Sequence, residues 1–232
     1  MLPSRALIAA AFALLGQPLA AGDSQVVVEL FTSQGCSSCP AADAVLQDLA
    51  ARDDVIALAL HVDYWDYIGW KDDFARPGHA ARQRAYAAAS GRRMIYTPQM
   101  VVQGREDLVG VKTMELADLI MQYKSADPAI DLGATRQGGE VVVRLAPLKG
   151  AKGPYDVQLV RYDPLRKAHI TRGENSGLDI DYANVVTDWS TIGRWDGTAP
   201  AELRAPLTGD SPAAVLVQQA GTGPIAVAAR LD

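Results

Sequence analysis

Two short apolar runs, Val26 to Phe31 (VVVELF) and Val55 to Val62 (VIALALHV), flank a stretch of helix formers from Ala41 to Arg52. No other feature constrains the fold as much. Runs of this length, rich in branched residues, read as buried strands. Val45, Leu46 and Leu49 share one face of the intervening helix. Strand–helix–strand implies a parallel pair joined by a right-handed crossover, and so an α/β protein. At the strand-to-helix junction, after a turn-like stretch from Thr32 to Gly35, stands Cys36-Ser37-Ser38-Cys39-Pro40.

Those are the only two cysteines among 232 residues, so a disulfide-dense scaffold and a four-thiolate zinc site are excluded. Charged residues are 21% and the net charge is −5, with no basic run, which argues against nucleic acid as a partner. The chain opens with Arg5, an apolar stretch from Ala6 to Leu15, and small residues at Ala20, Ala21 and Gly22. That pattern reads as a signal peptide over 1–21, its alternative being an uncleaved anchor. No later stretch is apolar enough for a transmembrane helix. The expected location is periplasmic or secreted, where a disulfide persists.

Residues 24–126 read as one α/β domain. Residues 63–91 behave as an insertion: YWDYIGWKDDF, then a helical run from His79 to Ala89 that Gly91 ends. A strand from Met100 to Gln103, a second near Leu108 to Val111, and a helix with Thr113 as N-cap complete it. Asp127-Pro128 marks a boundary. Beyond it come short alternating segments (Val141 to Leu145, Val157 to Tyr162, Leu178 to Val186, Ala213 to Val217, Ile225 to Leu231) separated by glycine turns. They predict a small all-β, sandwich-like domain over 127–232.

Cys-x-x-Cys at the start of a helix lets two sulfurs meet. The helix N-terminus favours a thiolate on Cys36, expected to be the more exposed sulfur, with Cys39 as the resolving thiol. Pro40 suits a first helical turn. A plain structural disulfide is an alternative, although closing so small a ring stabilises little. Copper or zinc held by Cys36, Cys39 and His61 is another, without the usual second ligand pair.

Thr97-Pro98 precedes the third strand, and the whole order of elements resembles the thioredoxin fold. There a cis proline opens this strand beside the redox pair and leaves the preceding backbone free for an extended substrate. Glu29, a lone charge within the first strand, reads either as a buried carboxylate relaying protons to Cys39 or as a strand-end residue facing water. His61 reads as a structural histidine or as one near the pair. Tyr64, Trp65, Tyr67, Trp70 and Phe74 read as a lid beside the disulfide or as the insertion's own packing.

The segments Glu29 to Asp43, His61 to Ala75, Arg82 to Ala87, Tyr96 to Gly104, Glu174 to Trp189 and Pro224 to Leu231 resemble a bacterial family of secreted, thioredoxin-like proteins, the domain-of-unknown-function family DUF1223. The resemblance implies a thioredoxin-like domain followed by a β-domain, with Cys36, Cys39 and Pro98 matching the redox pair and cis proline. It supplies no substrate. Two departures stand out: Ser37-Ser38 replaces the Gly-Pro of thioredoxin, and Gly35 replaces the tryptophan usual before the first cysteine. The expected function is a thiol–disulfide oxidoreductase without cofactor or metal. It would act on cysteine-containing extracytoplasmic proteins with a redox partner, through Cys36, Cys39, Pro98, Thr97 and Glu29. The alternatives are a binding or assembly module with a structural disulfide, and a copper-handling protein.

Overall fold

The computed structural model describes residues 25–231; the expected signal peptide lies outside the described residues. The elements run β1 (Val26–Thr32), α1 (Pro40–Ala50), β2 (Val55–His61), a 3₁₀ turn (Asp66–Ile68), α2 (Pro77–Ala89), β3 (Gln99–Val102), β4 (Glu106–Val109) and α3 (Thr113–Lys124). Then come β5 (Ile130–Gln137), β6 (Glu140–Pro147), β7 (Tyr155–His169), β8 (Asp179–Trp195), β9 (Ala201–Pro206), β10 (Ala213–Gln219) and β11 (Ile225–Leu231). The architecture is mixed α/β. Eight strands form one mixed sheet in the order β11-β10-β7-β8-β2-β1-β3-β4, and β5-β6-β9 form a second.

β1 and β2 pair in parallel from Val26↔Val55 to Thr32↔His61. β1 is buried along its whole length, which is why, Glu29 and Thr32 apart, it is apolar on both faces. Its residues alternate between two cores, as the pleat requires. Val26, Val28 and Leu30 join Ala42, Leu46 and Leu49 of α1 and Leu116 and Ile120 of α3. Val27 and Phe31 join Ala80 and Tyr86 of α2. α1 and α3 therefore cover one face and α2 the other.

Strands on both sides of the expected 126/127 boundary share the large sheet. Tyr182 and Val185 of β8 enter the first core, and Val160, Tyr162, Val186, Ala214 and Leu216 enter the second. The seam is the parallel pairing of β2 with β8 at Ala59↔Val185. The second sheet lies over β7, β10 and β11, around Val141, Val143, Val157, Val215 and Trp195.

β5 and β9 are the two edges of the small sheet. Each pairs on one side only, and their Gly, Asp, Arg and Glu residues hide them from a propensity reading. β7 and β8 run well past the predicted segments, because Pro164 and two register shifts interrupt their alternation. Thr113 is the first helical residue of α3, and Lys112 takes the cap position without a side-chain bond. Among the described residues no helix is long and apolar enough to cross a membrane.

Candidate active site around the Cys36–Cys39 disulfide

The chain leaves β1 through Ser33, Gln34 and Gly35, all buried, and turns into α1. The Cys36 N–H donates to the Ser33 carbonyl (3.1 Å), and the Cys39 N–H to the Cys36 carbonyl (3.1 Å). This tight turn brings the two Cα atoms to 5.4 Å, and the sulfurs are joined as a disulfide. Cys39 is the N-cap of α1, with Pro40 in the first turn. The Ser38 hydroxyl lies 3.5 Å from the Cys36 sulfur.

Cys36 is only 1% exposed and Cys39 0%. Cys36 is thus the more exposed of the two only by a margin, and both are buried because two distant segments cover the loop. Gly35 lets Trp65 and Ile68 approach closely: a Cβ at that position would sit 3.2 Å from each. Trp70 Nε1 donates to Gln34 Oε1 (2.7 Å). From the loop between β7 and β8, Asn175 Nδ2 donates to the carbonyls of Gln34 (2.9 Å) and Cys36 (3.0 Å). The Ser37 and Ser38 side chains remain exposed.

The Thr97–Pro98 bond is cis, as expected. Pro98 is buried and its carbonyl accepts from the Gly110 N–H (3.2 Å). Thr97 Oγ1 accepts from Trp65 Nε1 (2.7 Å). Trp65 thus ties Thr97 to the loop that carries the disulfide. Tyr67, 81% exposed, stacks on Trp65 at a centroid distance of 6.4 Å. The aromatic run serves both readings: Trp65 and Trp70 lie against the loop, while Phe74 is buried against His61 and Tyr182.

Beneath the loop lies a buried polar cluster. His61 Nδ1 donates to Asp72 Oδ2 (2.7 Å), which also accepts from the Gln34 N–H (2.8 Å); Asp72 Oδ1 takes the Phe74 N–H (2.9 Å). Burial opposes ionisation of Asp72, but these bonds outweigh it and hold the carboxyl below its usual range. Asp43 contrasts with it. Burial pushes its carboxyl up to about 7, only partly offset by the nearby His61 and Thr32. Both Asp43 oxygens, His61 Nε2, Thr32 Oγ1 and the Tyr182 hydroxyl are buried without a hydrogen-bond partner. Burial, then Asp43 and Asp72, drive the Tyr182 phenol upward.

Glu29 is buried, but on the face that meets α2. Arg82 Nε bonds its Oε1 (2.5 Å), and Arg82 Nη2 (3.1 Å) and the Tyr86 hydroxyl (2.5 Å) bond its Oε2. Strand alternation sets this face opposite α1, so the carboxylate points away from Cys39 rather than toward it. It does not face water either. The structure therefore brings Cys36 and Cys39 together, ties Thr97 to their loop through Trp65, and commits Glu29 to an ion pair. Asp43, Asp72, Asn175 and Tyr182 escape the sequence reading. The one available signal is Asp43, an acid beside Ala42 on the face that also carries Leu46 and Leu49. Among the described residues, no group of three or more His, Cys, Asp and Glu side chains is arranged to hold a metal ion, so the copper and zinc readings gain no support.

No curated protein matches the chain. Among solved structures, a structural-genomics crystal structure of a protein from Agrobacterium tumefaciens is similar at 32% identity, covering 89% of this chain and 93% of that one, with a TM-score of 0.76. HBP35 of Porphyromonas gingivalis shares the fold at 15% identity and a TM-score of 0.60, over 90% of this chain and 74% of that one. The model of the family described as "Protein of unknown function (DUF1223)" matches residues 27–218. The chain belongs to that family.

Proposed function

We propose that the protein is a thiol–disulfide oxidoreductase of thioredoxin type, working outside the cytoplasm on cysteine-containing proteins. Cys36 is the attacking thiolate, Cys39 the resolver, and Thr97-Pro98 the neighbouring substrate contact. The observation that carries this reading is the Cys36–Cys39 disulfide, closed at the N-cap of α1. There the unpaired N–H groups and the helix dipole stabilise a thiolate. The element order β1-α1-β2-α2-β3-β4-α3, the strand order β2-β1-β3-β4 and the buried cis Pro98 support it. The segment 1–21 supports export, and residues 127–231, all strand and loop, form the β-part. Ser37-Ser38 has no cationic group between the cysteines, so a milder oxidant than a Pro-His dipeptide provides is expected.

One observation favours a second reading, a binding or assembly module. Both sulfurs are buried, and Asn175 and Trp70 pin the loop that holds them. A redox titration with Cys39→Ser trapping separates the two. A potential within the range of periplasmic catalysts, with Cys39→Ser capturing thiol proteins from a periplasmic extract, supports the enzyme. A potential below about −300 mV with no capture supports the structural bridge.

A further inference from the structure

Asp43 is a buried acid that His61 and Thr32 compensate only in part. It is 3% exposed, and neither oxygen has a hydrogen-bond partner. Its backbone N–H donates to the Cys39 carbonyl at 3.0 Å, so it stands one helical turn beyond Cys39 on the same side of α1. An unpaired buried carboxyl is costly and uncommon in folded proteins.

The groups facing it come from every neighbouring element. β1 offers the Thr32 hydroxyl, β2 offers His61, the insertion offers Asp72, and β8 offers Tyr182. Arg166 lies farther out, over the Phe74 ring at 3.9 Å. Asp72 already accepts three hydrogen bonds and stays ionised. The Tyr182 phenol stays protonated. Asp43 is the carboxyl of the cluster left without a hydrogen-bond donor, and Cys39 is the reacting group one turn away.

We propose that Asp43 holds and returns the proton of the Cys39 thiol during disulfide exchange, with the His61–Asp72 pair positioned behind it. The inference rests on the oxidoreductase reading. In the reducing direction, the Cys36 thiolate attacks a substrate disulfide. One substrate sulfur becomes bonded to Cys36 and the other leaves as thiolate. The Asp43 carboxylate then takes the proton from Cys39. The Cys39 sulfur attacks Cys36, the mixed disulfide breaks, and the second substrate sulfur departs as thiolate. Two electrons pass to the substrate, and one proton rests on Asp43. In the oxidising direction a substrate thiolate attacks Cys36, a mixed disulfide forms as the Cys36–Cys39 bond breaks, and Asp43 gives its proton to the departing Cys39. A second substrate thiolate then attacks the substrate sulfur of the mixed disulfide, the substrate disulfide forms and Cys36 leaves as thiolate, carrying the two electrons.

The test is a two-step release assay on the whole mature protein. The reduced protein is mixed with an equimolar amount of dithiobis(nitrobenzoate). The first release of nitrothiobenzoate reports attack by Cys36, and the second reports attack by Cys39 on the mixed disulfide. In the wild type the second release should titrate near pH 7. In Asp43→Asn its rate at that pH should fall about tenfold, and its profile should move toward an ordinary thiol value of about 8.5. At higher pH the two proteins should converge, the first release should be unchanged, and Asp43→Glu should restore part of the rate. If Asp43→Asn does not fold, Asp43→Ser is read in the same way. An unchanged profile in the variant, or a loss equal in both steps at every pH, overturns the inference while leaving the enzyme reading standing. A wild-type second release no faster than that of a free dithiol overturns both.

Discussion

At the scale of single residues, two carboxyls buried on opposite faces of one sheet illustrate how environment sets character. Glu29 has its counter-charge within bonding distance: Arg82, itself braced by Tyr86, Gln218 and the Trp189 ring at 3.9 Å. Truncating one partner of such a pair leaves the other charge buried and costs about 3–5 kcal/mol. Arg82 keeps 11% of its side chain exposed, so the lower end applies. Glu29→Gln should therefore lower the unfolding free energy by about 3 kcal/mol in urea titration. Replacing both residues by apolar ones of similar volume should recover much of that loss. A Glu29→Gln protein as stable as the wild type would mean that water reaches Arg82 freely. The charge of Glu29 is legible in its strand. The face it occupies is not, because period two alone does not say which helix covers which face.

At the scale of elements, the join between β2 and β8 is narrow. Beside the pair Ala59↔Val185, it depends on Asn184 Nδ2 donating to the Ala57 carbonyl at 2.9 Å. Asn184 holds φ at +47°, a left-handed conformation that Asn tolerates better than most side chains. Asn184→Ala loses the bond and takes on strain, an expected cost of about 2 kcal/mol. Asn184→Gly loses only the bond and should cost about half as much. Hydrogen exchange of the β2 amides should quicken more in Ala than in Gly. The reverse order would show that the backbone angle is unimportant at the seam. A left-handed residue inside a long strand carries no mark in the sequence, since Asn is equally common in turns.

At the scale of the whole molecule, pH dependence follows from groups far apart in the chain. Asp43 rises from 3.8 to about 7, so the folded state binds its proton more tightly than the unfolded chain does. Its contribution to stability falls as pH climbs from about 4 to about 7 and is flat above. His79 is pushed by burial from 6.5 down to about 4, so the unfolded chain binds that proton more tightly. Its contribution rises with pH between about 4 and 6.5. The two slopes oppose each other in that window. Asp43→Asn removes one of them, so its melting temperature should climb more steeply than the wild type's between pH 4 and 6.5. Above pH 7 it should exceed the wild type. Parallel melting curves across this range would refute the environment assigned to Asp43.

The order of the first seven elements, the closeness of Cys36 and Cys39, and the helix that begins at Pro40 are written in local residues. Period, propensity and loop length act over a few positions, and a C-x-x-C spacing leaves its sulfurs little choice. Tertiary structure alone decided the rest. It set the union of β7, β8, β10 and β11 with the first sheet, the cover that Asn175 and the Trp65–Trp70 segment place over the sulfurs, and the meeting of Asp43, His61, Asp72 and Tyr182. Each of these depends on which strand edges pair across long stretches of chain. That choice is settled by the apolar surface the whole molecule buries, to which no single segment holds the key.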